Sequence, residues 1–453
     1  MKRFCLVMLS LGLVLAFSAQ AMAVDVKFSG SFYAAGMYLD KTSLQNTTAV
    51  SGSDNVSTAF YYQRLRVQTD FIVSPGLKLI TRFDAMERAW GAARTPAGTN
   101  VPSTASSDSQ SAGTTAENEN IAFDWAYISY DSPIGTFRAG YMEAVVWGTV
   151  FADSAQPLPT LAWSNATGPW SYFVKIFKAT DNSYTAKNTG ATATDRDKDK
   201  YGAGFKYSWN GGEAGLLTAI VRDATTRSSD YKGFWYELNP YAKAQLGPVK
   251  VQAEVYYAWG NTKKVESGAG DVKLENLGVF VDAVADFNKF YAGGTFAYIS
   301  GDDPGTSDKY EGAGVGIVPV VNGGKDWNPC LIMFNNDRAY WAGALPGYDT
   351  TTNTSAMSNA WFGQGRIGVR PIATLDILAA VSYATADQKY TTSSLNKTYG
   401  WEVDVTGTYK ITNNLSYMMG VGYWLVGDYY KGSSNDNSLR NEYMLINKLT
   451  LTF

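Results

Sequence analysis

The chain has 453 residues, a formal net charge of −3, 14% aromatic and 17% charged residues, and no histidine. Without imidazole there is no Ser-His-Asp triad, no histidine zinc site and no histidine general base, so an enzyme is not expected and no cofactor is implied. No basic tract suggests nucleic acid, and no later stretch offers the roughly 18 consecutive apolar residues that a membrane-crossing helix needs.

Lys2 and Arg3 precede an apolar run from Phe4 to Phe17, and Ala21-Met22-Ala23 forms an A-x-A cleavage site. Residues 1–23 therefore read as a secretory signal peptide. Residues 24–453 read as one exported β domain, because the strand texture continues without a Pro-rich or Ser-rich linker. Cys5 leaves with the signal, so Cys330 is the single cysteine of the mature chain and has no internal disulfide partner.

The first strand is expected over 26–38, where Val26, Phe28, Phe32 and Ala34 alternate with Lys27, Ser29 and Ser31. Over 60–73, Tyr61, Leu65, Val67, Phe71 and Val73 share one face, and Arg64, Arg66, Gln68 and Asp70 the other. Ser74-Pro75-Gly76 makes a tight turn. Leu77, Leu79, Thr81 and Phe83 then continue the apolar face, while Lys78, Arg82, Asp84 and Arg88 continue the charged one. If the apolar face meets lipid, a one-residue slip that turned Arg64 and Arg66 outward would cost roughly 2–4 kcal/mol each near the midplane, so register should be firmly set.

Downstream, long polar connections alternate with short turns such as Ser132-Pro133-Ile134-Gly135, Asn210-Gly211-Gly212 and Thr412-Asn413-Asn414. Long connections at one end and tight turns at the other predict an all-β, transmembrane antiparallel β-barrel of about 18 strands, with 16 as the alternative. The segment 158–166 is counted as a strand because without it the short turns change ends halfway along the chain. The charged parity continues through Arg138, Glu237, Lys243, Lys250, Glu254, Asp282, Arg366, Glu402 and Asp404. Tyr61, Tyr127, Tyr130, Trp209, Trp235, Trp401 and Tyr423 read mostly as interfacial girdles. Asp195, Asp197 and Asp199 alternate with basic residues and, like Asp302, Asp303 and Asp308, read as solvated loops rather than calcium sites.

The last strand, over 441–453, places Tyr443, Leu445, Leu449, Leu451 and Phe453 on one face, interrupted by Asn447. An apolar strand ending in Phe resembles the C-terminal signal of Gram-negative outer-membrane barrels. With the export signal and the arginine-lined hairpin, the chain resembles the trimeric porins of those membranes. Leu331-Ile332-Met333-Phe334-Asn335-Asn336-Asp337 resembles a segment of the homotrimeric porins of sulfate-reducing bacteria. The resemblance implies a water-filled channel for passive diffusion of small hydrophilic solutes and ions. It also implies a homotrimer set in outer-membrane lipid and lipopolysaccharide and delivered to the barrel-assembly machinery through Phe453.

In such porins the third long loop narrows the pore with acidic groups that face wall arginines. Here that loop is expected over about 143–157. The expected constriction is Glu143 and Asp153, with Trp147 and Phe151, opposite Arg64, Arg66, Arg82, Arg88 and Arg138. Two other readings stand beside the general porin: a channel selective for sugars or anions, and a non-channel surface barrel or adhesin. An interior filled by the long connection over 301–359 would favour the last.

Overall fold

The computed structural model describes residues 24–41, 44, 57–91, 121–183, 195–312, 321–343, 356–389 and 395–453. Residues 1–23, expected as a secretory signal and including Cys5, lie outside the described residues. Eighteen barrel strands follow one another: β1 Asp25–Leu39, β2 Thr58–Ser74, β3 Leu77–Ala89, β4 Ile121–Ser132, β5 Gly135–Val145 and β6 Ser154–Thr167. Next come β7 Trp170–Thr180, β8 Lys198–Trp209, β9 Gly212–Asp223, β10 Tyr231–Leu246, β11 Val249–Val265 and β12 Val272–Asp286. The series ends with β13 Phe290–Ile299, β14 Ala360–Ile372, β15 Leu375–Ala386, β16 Thr398–Lys410, β17 Leu415–Val426 and β18 Glu442–Thr452.

Every strand pairs antiparallel with its neighbour in the chain, and β1 also pairs with β18 in a register running from Ser31 opposite Thr452 to Leu39 opposite Met444. Gly30 and Phe453 exchange two backbone hydrogen bonds, of 2.8 and 3.1 Å, at the end of this seam. The sheet therefore has no free edge. The expected eighteen strands are all present, including the one from Ser154 to Thr167.

The two faces separate as the alternation requires. Phe28, Tyr61, Ile128, Leu161, Ile367, Val405, Met419 and Leu445 are exposed on the outer surface. Tyr33, Tyr62, Arg82, Glu237, Glu254, Phe280, Phe362 and Glu402 point inward and are buried. Two members of the predicted girdle are corrected. Trp235 is buried inside, where its Nε1–H donates to Glu237, and Tyr127 lies two residues from the buried, inward Ser129.

Eight connections are short turns at the end where β1 begins and β18 finishes, and the other nine lie at the opposite end. At the first short turn Gly76 has φ +80°, and a β-carbon there would lie 3.0 Å from the carbonyl oxygen of Asp131. Glycine supplies this conformation without that crowding.

Two long-end connections turn into the barrel. One is residues 146–153, between β5 and β6. The other is the described part of the β13–β14 connection, including helix α1 Asn336–Ala342. Its residues Cys330, Ile332, Met333 and Phe334 are buried in one apolar cluster with side chains from β1, β2, β9 to β18 and with Phe151, and the half-buried Leu331 packs against it. The interior is thus a packed half and a charged half.

The outer face sets the first prediction. Val405→Arg, on the lipid-facing row of β16, should destabilise the barrel by roughly 2–4 kcal/mol, whereas Gln68→Arg, inward on β2, should change stability by less than about 0.5 kcal/mol. Urea unfolding in lipid vesicles measures both; equal losses would contradict the assigned faces.

Candidate functional site

The arginines of the first hairpin do gather on the inner wall, but their partners are their own neighbours. Arg66 grips Asp84 with two hydrogen bonds of 2.7 and 2.6 Å and reaches Asp124 at 3.2 Å. Arg82 donates to Asp124 at 3.2 Å, and its guanidinium carbon lies 3.4 Å from the centre of the Trp125 ring. Arg64 reaches Glu87 at 3.4 Å and lies over the ring of Tyr33. Three cations face three carboxylates, so this patch is close to neutral. Its geometry is stiff, because a forked guanidinium–carboxylate pair fixes orientation as well as distance.

Arg88 departs from the expectation. A bulge shifts the β2–β3 register between Gln63 and Leu65, and Met86 takes φ +56°. Such an extra residue reverses the alternation beyond it. Glu87 takes the inward place beside Arg64, and Arg88 lies opposite Gln63, between the inward Tyr62 and Arg64 on β2. Arg88 is therefore on the other face from Arg82.

Glu143 is likewise displaced from its expected role. It belongs to β5 rather than to a loop and pairs with Pro157. Arg138, five residues earlier on the same strand, pairs with the inward Ser129 and is exposed to the lumen. Alternation puts Glu143 on the opposite face. Arg138 makes no ion pair among the described residues.

The β5–β6 connection does fold inward, over the shorter span 146–153. Trp147 donates its indole N–H to the carbonyl of Asn239 and packs edge-on against Phe173 and Tyr241. Thr149 donates its backbone N–H and its hydroxyl to the buried Glu254, each at 2.6 Å. Phe151 stacks on Phe280 at 4.9 Å and meets Trp327 of the other inward connection at 5.0 Å.

Asp153 closes this loop by accepting the backbone N–H of Trp147 at 2.7 Å, and its carbonyl accepts from Asp326. It makes no ion pair with an arginine among the described residues. Burial pushes its carboxyl up to about 7, and the nearby Glu254, Asp326 and Glu143 add to the rise.

The β13–β14 connection is the larger occupant, and the residues that dock it were missing from the expected site. Backbone N–H groups of Ile332 and Met333 donate to Glu402 at 2.6 and 2.7 Å, and that of Leu331 to Asp404 at 3.3 Å. Phe334 packs edge-on against Phe362 and Tyr399, and Trp341 of α1 stacks on Tyr62 at 4.4 Å. The connection thus runs over the inner wall from β12 round to β2. The apolar run Leu331-Ile332-Met333-Phe334 inside a polar connection was the available signal.

The wall from β3 to β11 keeps a different character. A cavity of about 640 Å³ is lined there by Trp147, Tyr172, Phe173, Lys206 and Tyr241 among others. Lys206 pairs with Glu213, which also accepts from Tyr241, and Lys243 lies near the same carboxylate. A second cavity, of about 570 Å³, has Lys243, Lys250, Arg366 and Arg370 with Asp282 and Asp286 in its lining. Opposed charges on a narrow wall produce a field across the lumen.

The raised carboxyl sets a pH dependence. Because Asp153 binds its proton more tightly in the docked loop than in an unfolded chain, where its pKa is about 3.9, docking is strongest below that value. It weakens as pH rises through about 7. Hydrogen exchange at Thr149 and Phe151 should therefore be slower at pH 5 than at pH 8 after correction for intrinsic rates. Asp153→Asn, which can still accept from Trp147, should reduce that difference.

No family model and no curated protein matches the chain. Solved structures match it along its length. A BenF-like porin from Pseudomonas fluorescens Pf-5 superposes with TM-score 0.54 at 11% identity, covering 95% of this chain and 99% of that one. OccK9 (OpdG) of Pseudomonas aeruginosa gives 0.53 at 15%, with the same coverage. OccK2 (OpdF) of Pseudomonas aeruginosa gives 0.53 at 13%, covering 94% and 98%. At these identities the likeness speaks for architecture, and it establishes that this chain has the fold of the outer-membrane porins, a closed 18-stranded antiparallel barrel.

Proposed function

We propose that the mature chain is a passive, non-enzymatic channel of the Gram-negative outer membrane for small hydrophilic solutes and ions. The observation that carries this reading is the division of the interior. The β13–β14 connection covers the wall from β12 to β2 and residues 146–153 pack on β7, β10 and β11, while Arg138, Lys206 and Lys243 remain accessible. A surface barrel with a filled interior has no use for that charged, accessible wall. Insertion into planar bilayers should give stepwise conductance, and folded protein that gives none would refute the channel.

A second reading, selectivity for small anions, is favoured by the lysines and by the exposed Arg138. OccK2 has also been solved with glucuronate, a small organic anion. The test of this reading lies at Arg138, because Arg64, Arg66 and Arg82 are each paired with carboxylates. Arg138→Gln should shift reversal potential towards cations at low salt, where screening is weakest, with stability changed by less than about 0.5 kcal/mol. Arg66→Gln should instead cost on the order of 3–5 kcal/mol, because it strips the partner from the buried Asp84. An unaltered reversal potential in Arg138→Gln would place that residue outside the narrow part.

We further propose a homotrimer, the assembly expected of porins and of the homotrimeric porins of sulfate-reducing bacteria. Asn447 supports it, because on the outer face it lies opposite Gly36 and Met419 and borders a groove of about 710 Å³. An amide facing hydrocarbon is favourable only with a partner. Gentle detergent extraction should give a species of three times the monomer mass, and Asn447→Leu should weaken it. The reading also takes residues 1–23 as the export signal and Phe453 as the mark read by the barrel-assembly machinery, in a membrane of phospholipid and lipopolysaccharide.

A further inference from the structure

We propose that Cys330, Glu402 and Asp404 bind a divalent transition-metal cation of the softness of Zn²⁺, which fastens the inward β13–β14 connection to β16. One sulfur and two carboxylate oxygens from these residues lie within 4.8 Å of one another. All three residues are buried, with relative exposures of 4%, 0% and 6%. Three of the four carboxylate oxygens are oriented by the backbone N–H groups of Leu331, Ile332 and Met333.

The fourth, Asp404 Oδ1, is buried and receives no N–H or hydroxyl hydrogen bond, and the carboxyls of Glu402 and Asp404 are linked to each other by a side-chain hydrogen bond. Gly422 keeps the space beside it open, since a β-carbon there would lie 2.7 Å from Oδ1 and 3.4 Å from Glu402 Oε1. The oxygen without an N–H or hydroxyl donor and the cradle next to it are the independent sign of a ligand.

Charge and chemistry point to a cation. Neither carboxylate has an ion pair among the described residues, and Arg338, the nearby cation, donates from Nη1 to the carbonyl of Gly343. Two buried carboxylates need compensating charge. A set of one thiolate and two carboxylates suits zinc-like metals and leaves a fourth position open, whereas calcium favours six or more oxygens. Ser382 Oγ, 3.3 Å from the sulfur, stands at that side of the cluster. On binding, the Cys330 S–H bond breaks, its proton and the one shared by Glu402 and Asp404 leave to solvent, and sulfur–metal and carboxylate–metal bonds form. Burial holds the free thiol protonated, so loading requires the cation to displace that proton.

The site is independent of whether the barrel conducts, and its test reads the metal directly. The full mature chain is refolded into detergent in the presence of one equivalent of Co²⁺, which reports a thiolate ligand by a charge-transfer band in the near ultraviolet. The expected result is one bound Co²⁺ with that band, displaced by Zn²⁺. Cys330→Ser should abolish the band, and Asp404→Asn and Gly422→Ala should each weaken binding by at least ~10-fold. Circular dichroism checks that each variant has folded. Folded wild-type protein that takes up neither cation would mean that a proton shared by the two carboxylates supplies the compensation, and would overturn the proposal. Equal affinity and an equal spectrum in Cys330→Ser would overturn it as well.

Discussion

Every feature of this molecule follows from the absence of water around the middle of its strands. A backbone N–H or carbonyl left without a partner in hydrocarbon costs several kcal/mol, so the sheet must close on itself, as β1 does against β18. Closure then assigns each alternate residue to lipid or lumen. The outer row is predominantly apolar, with Arg88, Glu143 and Asn447 as exceptions, and most of the charge within the span is driven inside. The crowded, polar interior is thus a consequence of what the exterior forbids.

Within that interior, two kinds of order compete. Carboxylates and cations on adjacent strands settle each other, as in the patch of Arg64, Arg66 and Arg82 with Asp84, Glu87 and Asp124. Elsewhere the backbone of an inward connection satisfies the wall, as the amides of Leu331 to Met333 do at Glu402 and Asp404. The first makes a smooth, nearly neutral surface, and the second makes a solid one. Beyond these two arrangements, Arg138, Lys206 and Lys243 keep charge accessible to the lumen.

How much of this was legible in the sequence follows the same division. Strands were readable because lipid and lumen impose a period of two, so even Ser154–Thr167, weakly patterned, was forced by the parity of its neighbours. Local breaks in the period were not. Met86 carries no sequence mark of its positive φ, and the bulge it belongs to moved Arg88 off the inner face and put Glu87 in its place. Inward loops were read by analogy and only partly found: 146–153 enters the barrel, but Asp153 meets Trp147 and Asp326 rather than an arginine. The contacts of Cys330–Phe334 with β16 join residues some seventy positions apart, and no local pattern encodes such a pairing.

The same separation constrains the order of assembly. The amides of Leu331 to Met333 have no carboxylates to dock on until β16 has been added to the sheet. Until then Leu331, Ile332, Met333 and Phe334 form an unprotected apolar tract. The barrel must therefore be nearly complete before its contents can settle. The described part of the connection that packs half of the interior is thus among the last to reach its docked position.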